Sequence, residues 1–339
     1  MRQILNILVL VICTTVMCAQ DVSSLNFKID GYAQKKFNET DKKIYIQHFF
    51  VNYQVMMSAS EIARGGREIG GGYRGDAKAS LSLGIKGVEL EDYQNMTNEF
   101  YNDFVKQLTD KGFTIMTAQE VQGNVNFSKE NVVEGGSPAS SDIPGYLSTT
   151  PKGYSFLTGG SGAFNMAGMP QSKKLGGVIV ARVYITVPFL ENGESQGSRA
   201  LTKSFGGVAK VVLKPNLRLS PLESVPVAGD FKKPKNTVTD VTFAYKKNLK
   251  YQALYRGKLK KPTEINGVFE NKKYKSVSSA SQDLWGSEVG TFKVFNVQDK
   301  ELERMQSVAC EKEKYVGGVT TAVTEYLNAS VSGFLSYIK

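Results

Sequence analysis

Ile44-Tyr45-Ile46-Gln47-His48-Phe49-Phe50-Val51-Asn52-Tyr53-Gln54-Val55-Met56, and after a glycine-rich break Asp92–Lys111, decide how this chain is read. The first stretch is rich in β-branched and aromatic residues and alternates only loosely. A nearly continuous apolar run of this kind suits a strand covered on both faces. In the second, Tyr93, Met96, Phe100, Phe104 and Leu108 recur at spacings of three or four and share one helical face. Glu91 and Asp92 stand where a helix start favours negative charge, and Lys111 where its end favours positive. Gly112 supplies a left-handed stop, and Phe113–Met116 resumes a strand pattern. A strand, a helix of about five turns and a strand make a β-α-β or split β-α-β unit.

Outward from this unit the sequence predicts an α+β fold with a mixed sheet, further β-rich segments and a C-terminal amphipathic helix. Phe27–Tyr32 reads as a short edge strand. Gly177–Phe189 is a second strong strand, with Gly206–Leu219 expected to pair with it. Val238–Tyr245 alternates as a strand, and Thr291–Val297 is expected as the last one. Glu311–Lys339 keeps helical spacing through Val319, Ala322, Val323, Tyr326, Leu327, Phe334, Leu335 and Ile338.

Residues 1–19 have a short basic start, an apolar run and a small-residue exit, the pattern of a signal peptide cleaved before Gln20. Cys13 and Cys18 fall in that leader, which leaves Cys310 as a lone thiol. Acylation at Cys18 is the rival expectation, against which Met17 is a poor preceding residue. No other stretch approaches the roughly 20 apolar residues of a spanning helix. Residues 20–339 are expected to form one large domain. Its sub-divisions are a 20–133 core, a Gly/Ser/Pro-rich insertion at 134–174 and a β-rich remainder at 175–339.

Several chemistries lack their residues. His48 is the one histidine, so a Ser-His-Asp arrangement has a single candidate base and no G-x-S-x-G elbow accompanies it. Zinc motifs and the G-x-x-x-x-G-K-[ST] loop are missing. The spacing Gly70, Gly72, Gly75 matches G-x-G-x-x-G but does not join a strand directly to a helix. No catalytic residue, metal or cofactor is therefore assigned. Chemistry by carboxylates alone stays open, with Glu89, Glu91, Asp92 and Glu99, and Asp299, Glu301 and Glu303, grouped in sequence.

Two contact surfaces are expected. Tyr154, Phe156, Leu157, Phe164, Met166 and Met169 flank a glycine joint and either form a hairpin for a partner or pack back onto the domain. The whole formal charge of +10 lies in residues 231–275, where thirteen Lys/Arg face three acids. Lys246, Lys247, Lys250, Arg256, Lys258, Lys260 and Lys261 are interleaved with tyrosines there. They suit an anionic glycan, a lipopolysaccharide surface or an acidic envelope protein, or else they guard a solvated β-surface. Nucleic acid is not among the expected partners, and an oligomer is compatible with the sequence.

The run Asn95-Met96-Thr97-Asn98-Glu99-Phe100-Tyr101-Asn102-Asp103-Phe104-Val105-Lys106-Gln107-Leu108-Thr109-Asp110-Lys111-Gly112-Phe113-Thr114-Ile115 resembles the helix–Lys-Gly–strand pattern of exported α/β proteins, those of the curli-secretion channel subunit and TolB N-terminal domain families. The leader and its Ala-Gln exit are similar to those of Bacteroidetes envelope proteins. The resemblance implies a periplasmic or outer-membrane-associated protein serving a secretion or assembly apparatus as an accessory or plug. A pore subunit would need paired membrane-crossing hairpins, for which Tyr154–Met169 is the one candidate. A carboxylate-dependent glycan hydrolase is the alternative from another class.

Overall fold

The computed structural model describes residues 22–63, 77–158, 168–194, 209–225, 235–277 and 305–339. The chain opens with β1 (Phe27–Tyr32) and a 3-10 turn at Gln34–Glu39, then enters β2 (Lys43–Gln54). β3 (Met56–Ala63) and β4 (Ala77–Lys86) form an antiparallel pair before α1 (Leu90–Thr109). β5 (Thr114–Met116) then lies parallel to the start of β2, with Lys43 opposite Thr114. This is the expected β-α-β unit, with the β3–β4 pair inserted before its helix.

α2 (Ala118–Gln122) follows, then β6 (Asn131–Glu134), β7 (Ala139–Ser140), β8 (Tyr146–Thr149) and β9 (Ser155–Thr158). α3 (Met169–Lys174) leads into β10 (Ile179–Val187) and β11 (Leu190–Asn192). Next come β12 (Lys210–Pro215), β13 (Arg218–Leu219), β14 (Glu223–Val225) and β15 (Lys235–Thr237). β16 (Asp240–Lys246) and β17 (Gln252–Leu259) form a hairpin, followed by β18 (Thr263–Glu264), β19 (Tyr274–Val277) and β20 (Gln306–Ala309). α4 (Lys312–Leu335) closes the chain.

The fold is α+β. Its main mixed sheet has the order β1-β17-β16-β10-β2-β8-β7, with β5 beside β2. α1 and α4 lie side by side on one face. Lys312 meets Asp92 at 2.7 Å near their starts, and Gln107 donates to Asn328 at 2.8 Å further along, so the two helices run parallel. The apolar positions expected on α1 are all buried. Asp92 accepts from the Glu89 amide at 2.9 Å, which caps the helix start. The helix ends at Thr109, and Gly112 takes φ +81°, the left-handed conformation that favours glycine. Between helices and sheet, Phe334 stacks on Phe243 at 3.8 Å and Phe104 packs against Phe49 at 5.7 Å.

Two expectations are corrected. The described part of the Gly/Ser/Pro-rich segment 134–174 is built into the domain and not inserted beside it: β7 and β8 extend the main sheet, and Tyr154 donates to the Ile46 carbonyl at 3.0 Å. Gly145 and Gly153 take left-handed φ values of +78° and +77° in the turns that flank β8. β2, β8 and β10, one from each of the three expected sub-divisions, share one sheet. Gly206–Leu219 contributes β12, but β12 pairs with β11 and β19, because β10 is already flanked by β2 and β16. Gln54 holds the bend after β10: its buried side-chain oxygen accepts from the amides of Phe189 and Leu190, both at 2.9 Å. Of the stretch Tyr154–Met169, β9 pairs with β6 and Met169 opens α3, while residues 159–167, with the glycine joint, lie outside the described residues. The glycine motif at 70–75, the expected strand at Thr291–Val297 and the acids Asp299, Glu301 and Glu303 lie outside the described residues.

Candidate functional site

The site arises from a change of parity in β2. Ile44 and Ile46 face the helices, yet so do Phe49, Val51 and Tyr53. The pairing with β10 shifts between Ala181 and Arg182, where Ile46 is followed by His48 as the next partner and Gln47 is the extra residue. One inserted residue reverses every later side chain. The bulge therefore turns His48, Phe50 and Asn52 to the sheet's other face. It also explains why this stretch alternates loosely in sequence.

The same face receives Arg182, Tyr184 and Thr186 from β10, Asp240 and Thr242 from β16, and Arg256 and Lys258 from β17. Register sets them in rows: Phe50, Tyr184, Asp240 and Lys258 in one, His48, Arg182, Thr242 and Arg256 in the next. Their odd-numbered neighbours on β10, β16 and β17 meet α1 and α4. Among the described residues no long helix covers this second face, and the short α2 packs on it only at Tyr45 and Val180. It forms the floor of an open cavity of about 650 Å³, walled by Ser141–Ile143 and Ser148 on one side and Leu222, Asn236 and Val238 on the other.

Cations and carboxylates are interlaced on this floor. Arg256 Nε lies 3.1 Å from Asp240 Oδ2, and Lys258 bridges to Asp30 of β1. Arg182, only 6% exposed, donates to the Tyr184 hydroxyl at 3.2 Å and lies 5.4 Å from that ring's centre. Tyr184 stacks on Phe50 at 5.9 Å and 14°, which continues the floor as an aromatic surface. Burial raises the Asp240 carboxyl and outweighs the opposing pull of Arg256, Arg182 and Lys258. Lys258 holds Asp30 below the usual carboxylate range. His48, between Phe50 and Tyr184, is pushed down to about 3 by burial and then by the charge of Arg182. It is a neutral imidazole at physiological pH.

The residues singled out from sequence fall into three places. Arg256 and Lys258 line the cavity. Lys246, Lys247 and Lys250 sit at the β16–β17 turn, and Lys260 and Lys261 lie beyond the other end of β17. The length of β17, roughly 25 Å, separates the last two groups, so the basic segment does not make one continuous surface. Tyr154, Leu157 and Met169 are buried and offer nothing to a partner. Phe156 packs on Tyr154 and Phe50. These four side chains follow the packed-back alternative, because β9 lies against α2 and α3 lies against β10 and β16. Phe164 and Met166 lie outside the described residues.

Sequence reading missed Arg182, Tyr184 and Asp240. The available signal was an arginine inside the apolar run Val178–Val187, a residue such a strand buries only with partners. Among the described residues no group of His, Cys, Asp and Glu is arranged to hold a metal ion, and no helix is long and apolar enough to cross a membrane. Cys310 is pushed up to about 12 by burial. No protein-family model, curated protein or solved structure matches this chain.

Proposed function

We propose that this chain is an exported, non-enzymatic envelope protein that binds an anionic, sugar-sized ligand in the cavity on the face of its main sheet opposite α1 and α4. The observation that carries the reading is the convergence of Arg182, Arg256 and Lys258 from two strands on one open floor. A cavity of about 650 Å³ suits a small organic molecule. Cationic side chains fix an acidic group, the amide and hydroxyls of Asn52, Ser148, Thr186 and Thr242 suit a ligand's hydroxyls, and the Phe50–Tyr184 surface suits an apolar ring face. Asp240 keeps Arg256 neutralised until a ligand arrives. The leader-like residues 1–19 support the export part of the reading, and service to a secretion or assembly apparatus belongs to the same proposal.

Titration calorimetry with glucuronate, inorganic phosphate and neutral glucose tests this. Glucuronate or phosphate binds and glucose does not. Arg256→Gln together with Lys258→Gln weakens binding by ten- to a hundredfold, since a hydrogen bond to a charged group contributes about 1.5–3 kcal/mol. Failure of both anions to bind, or equal affinity in the double variant, removes the proposal. A second reading, a carboxylate-dependent glycan hydrolase, is favoured by Asp142 and Asp240 lining the same cavity. Hydrolysis of an acidic polysaccharide that is lost in Asp240→Asn would select it instead.

A further inference from the structure

The sheet topology gathers lysines from distant parts of the chain at one end of the molecule. β2, β5 and β10 are parallel and all begin there. β16 is antiparallel to β10, so it ends there, and the turn 247–251 passes the chain to β17. α3 finishes just before β10, which adds Lys173. The 3-10 turn after β1 adds Lys36, whose Nζ donates to the Lys250 carbonyl. Lys42 precedes β2, and Lys246, Lys247 and Lys250 complete the set. Glu39, Asp41, Glu120 and Glu130 stand at its margin, and Asp110 is already paired with Lys106 at 2.6 Å.

At the apex of this end is Leu249, 83% exposed. Its turn is rigidly built. The Asn248 side-chain oxygen accepts from the amides of Lys250 at 2.9 Å and Tyr251 at 3.0 Å, and the Lys247 amide donates to the Tyr251 carbonyl at 2.8 Å. Lys250 Nζ lies 5.4 Å from the centre of the Tyr251 ring. An exposed tip carrying one apolar side chain inside a collar of lysines fits a flat, deformable, negatively charged surface.

We propose that this end docks on an anionic lipid surface, with Leu249 entering the headgroup layer and the surrounding lysines pairing with lipid phosphates. This surface is separate from the cavity and does not depend on the ligand assigned there. Co-sedimentation of the full chain with vesicles tests it, using pure phosphatidylcholine and a mixture with roughly one-third phosphatidylglycerol. The chain partitions onto the mixed vesicles and far less onto the neutral ones, and added salt releases it. Lys246→Gln, Lys247→Gln and Lys250→Gln together lower the partition by about a hundredfold. Leu249→Ser lowers it about tenfold with the salt dependence kept. Each variant is compared with an otherwise identical chain, so an apolar leader contributes equally to both, and an unchanged melting temperature shows that the substitutions, at the half-buried Lys246 and the exposed turn residues, leave the fold intact. Equal binding to both vesicle types, or a triple variant that binds like the parent, overturns the proposal. So does retention on polyglutamate without binding to vesicles, which would assign the tip to an acidic protein.

Discussion

His48 shows how one inserted residue decides the chemistry of a side chain. Without the bulge at Gln47 it would lie on the helix side of β2; with it, the imidazole stands between Phe50 and Tyr184 and beside the charge of Arg182. Folding pushes it from an ordinary 6.5 to about 3, so between these values the unfolded chain holds more protons than the folded one. Stability then rises with pH across that window and is lost on acidification, with a limiting slope of about 1.4 kcal/mol per pH unit for one proton. Asp240, raised by burial, works in the opposite direction. The difference between the parent and His48→Phe isolates the histidine: urea unfolding at several pH values should show a shallower loss toward low pH in the variant. Parallel pH profiles would remove the argument. From sequence the imidazole was legible as an interior sheet residue with no catalytic partner. Its arginine neighbour was not, because that contact depends on the register between two strands more than a hundred residues apart.

At the level of elements, what was readable was what local periodicity controls. β1, β10, α1 and α4 stand close to where alternation and the three-four spacing put them, and α1 buries the expected side chains. What was not readable was pairing at long range. The partner of β12 and the place of β8 follow from which edges are already occupied, and no run of residues encodes that. Helix–sheet contact has a similar hidden requirement at Gly257 on β17. The Tyr326 hydroxyl of α4 donates to its carbonyl at 2.8 Å, so helix and strand are close. A Cβ there would meet Phe27 Cζ at 2.8 Å and Ser330 Oγ at 2.9 Å. Both neighbours are side-chain ends, but Ser330 is fully buried on α4 and Phe27 packs on Tyr326 at 6.1 Å. Gly257→Ala should therefore destabilise by about 1–3 kcal/mol through overpacking, read as a lower urea midpoint with an unchanged slope. An unchanged midpoint would mean that the β17–α4 contact yields freely. Pairing the variant with Ser330→Ala, which removes one of the three close atoms, should recover part of the loss.

For the molecule as a whole, the segment that carries the net charge in sequence is split by the fold into surfaces with different neighbours. Arg256 and Lys258 face acids inside the cavity, whereas Lys246, Lys247 and Lys250 crown the far end of the same hairpin. Asp240 and Lys246 are the two ends of β16, about 20 Å apart at the rise of an extended strand. The Debye length is about 8 Å at physiological ionic strength and about 30 Å at 0.01 M. The turn lysines are thus screened from the cavity in the first condition and felt by it in the second. It follows that Lys246→Gln, Lys247→Gln and Lys250→Gln together should leave glucuronate affinity in the cavity unchanged near 0.15 M salt but weaken it severalfold near 0.01 M. Calorimetry on parent and variant at both salt concentrations decides this. A comparable loss in both conditions would mean that the turn shapes the cavity by packing through β16 and β17, and the two surfaces would then have to be treated as one.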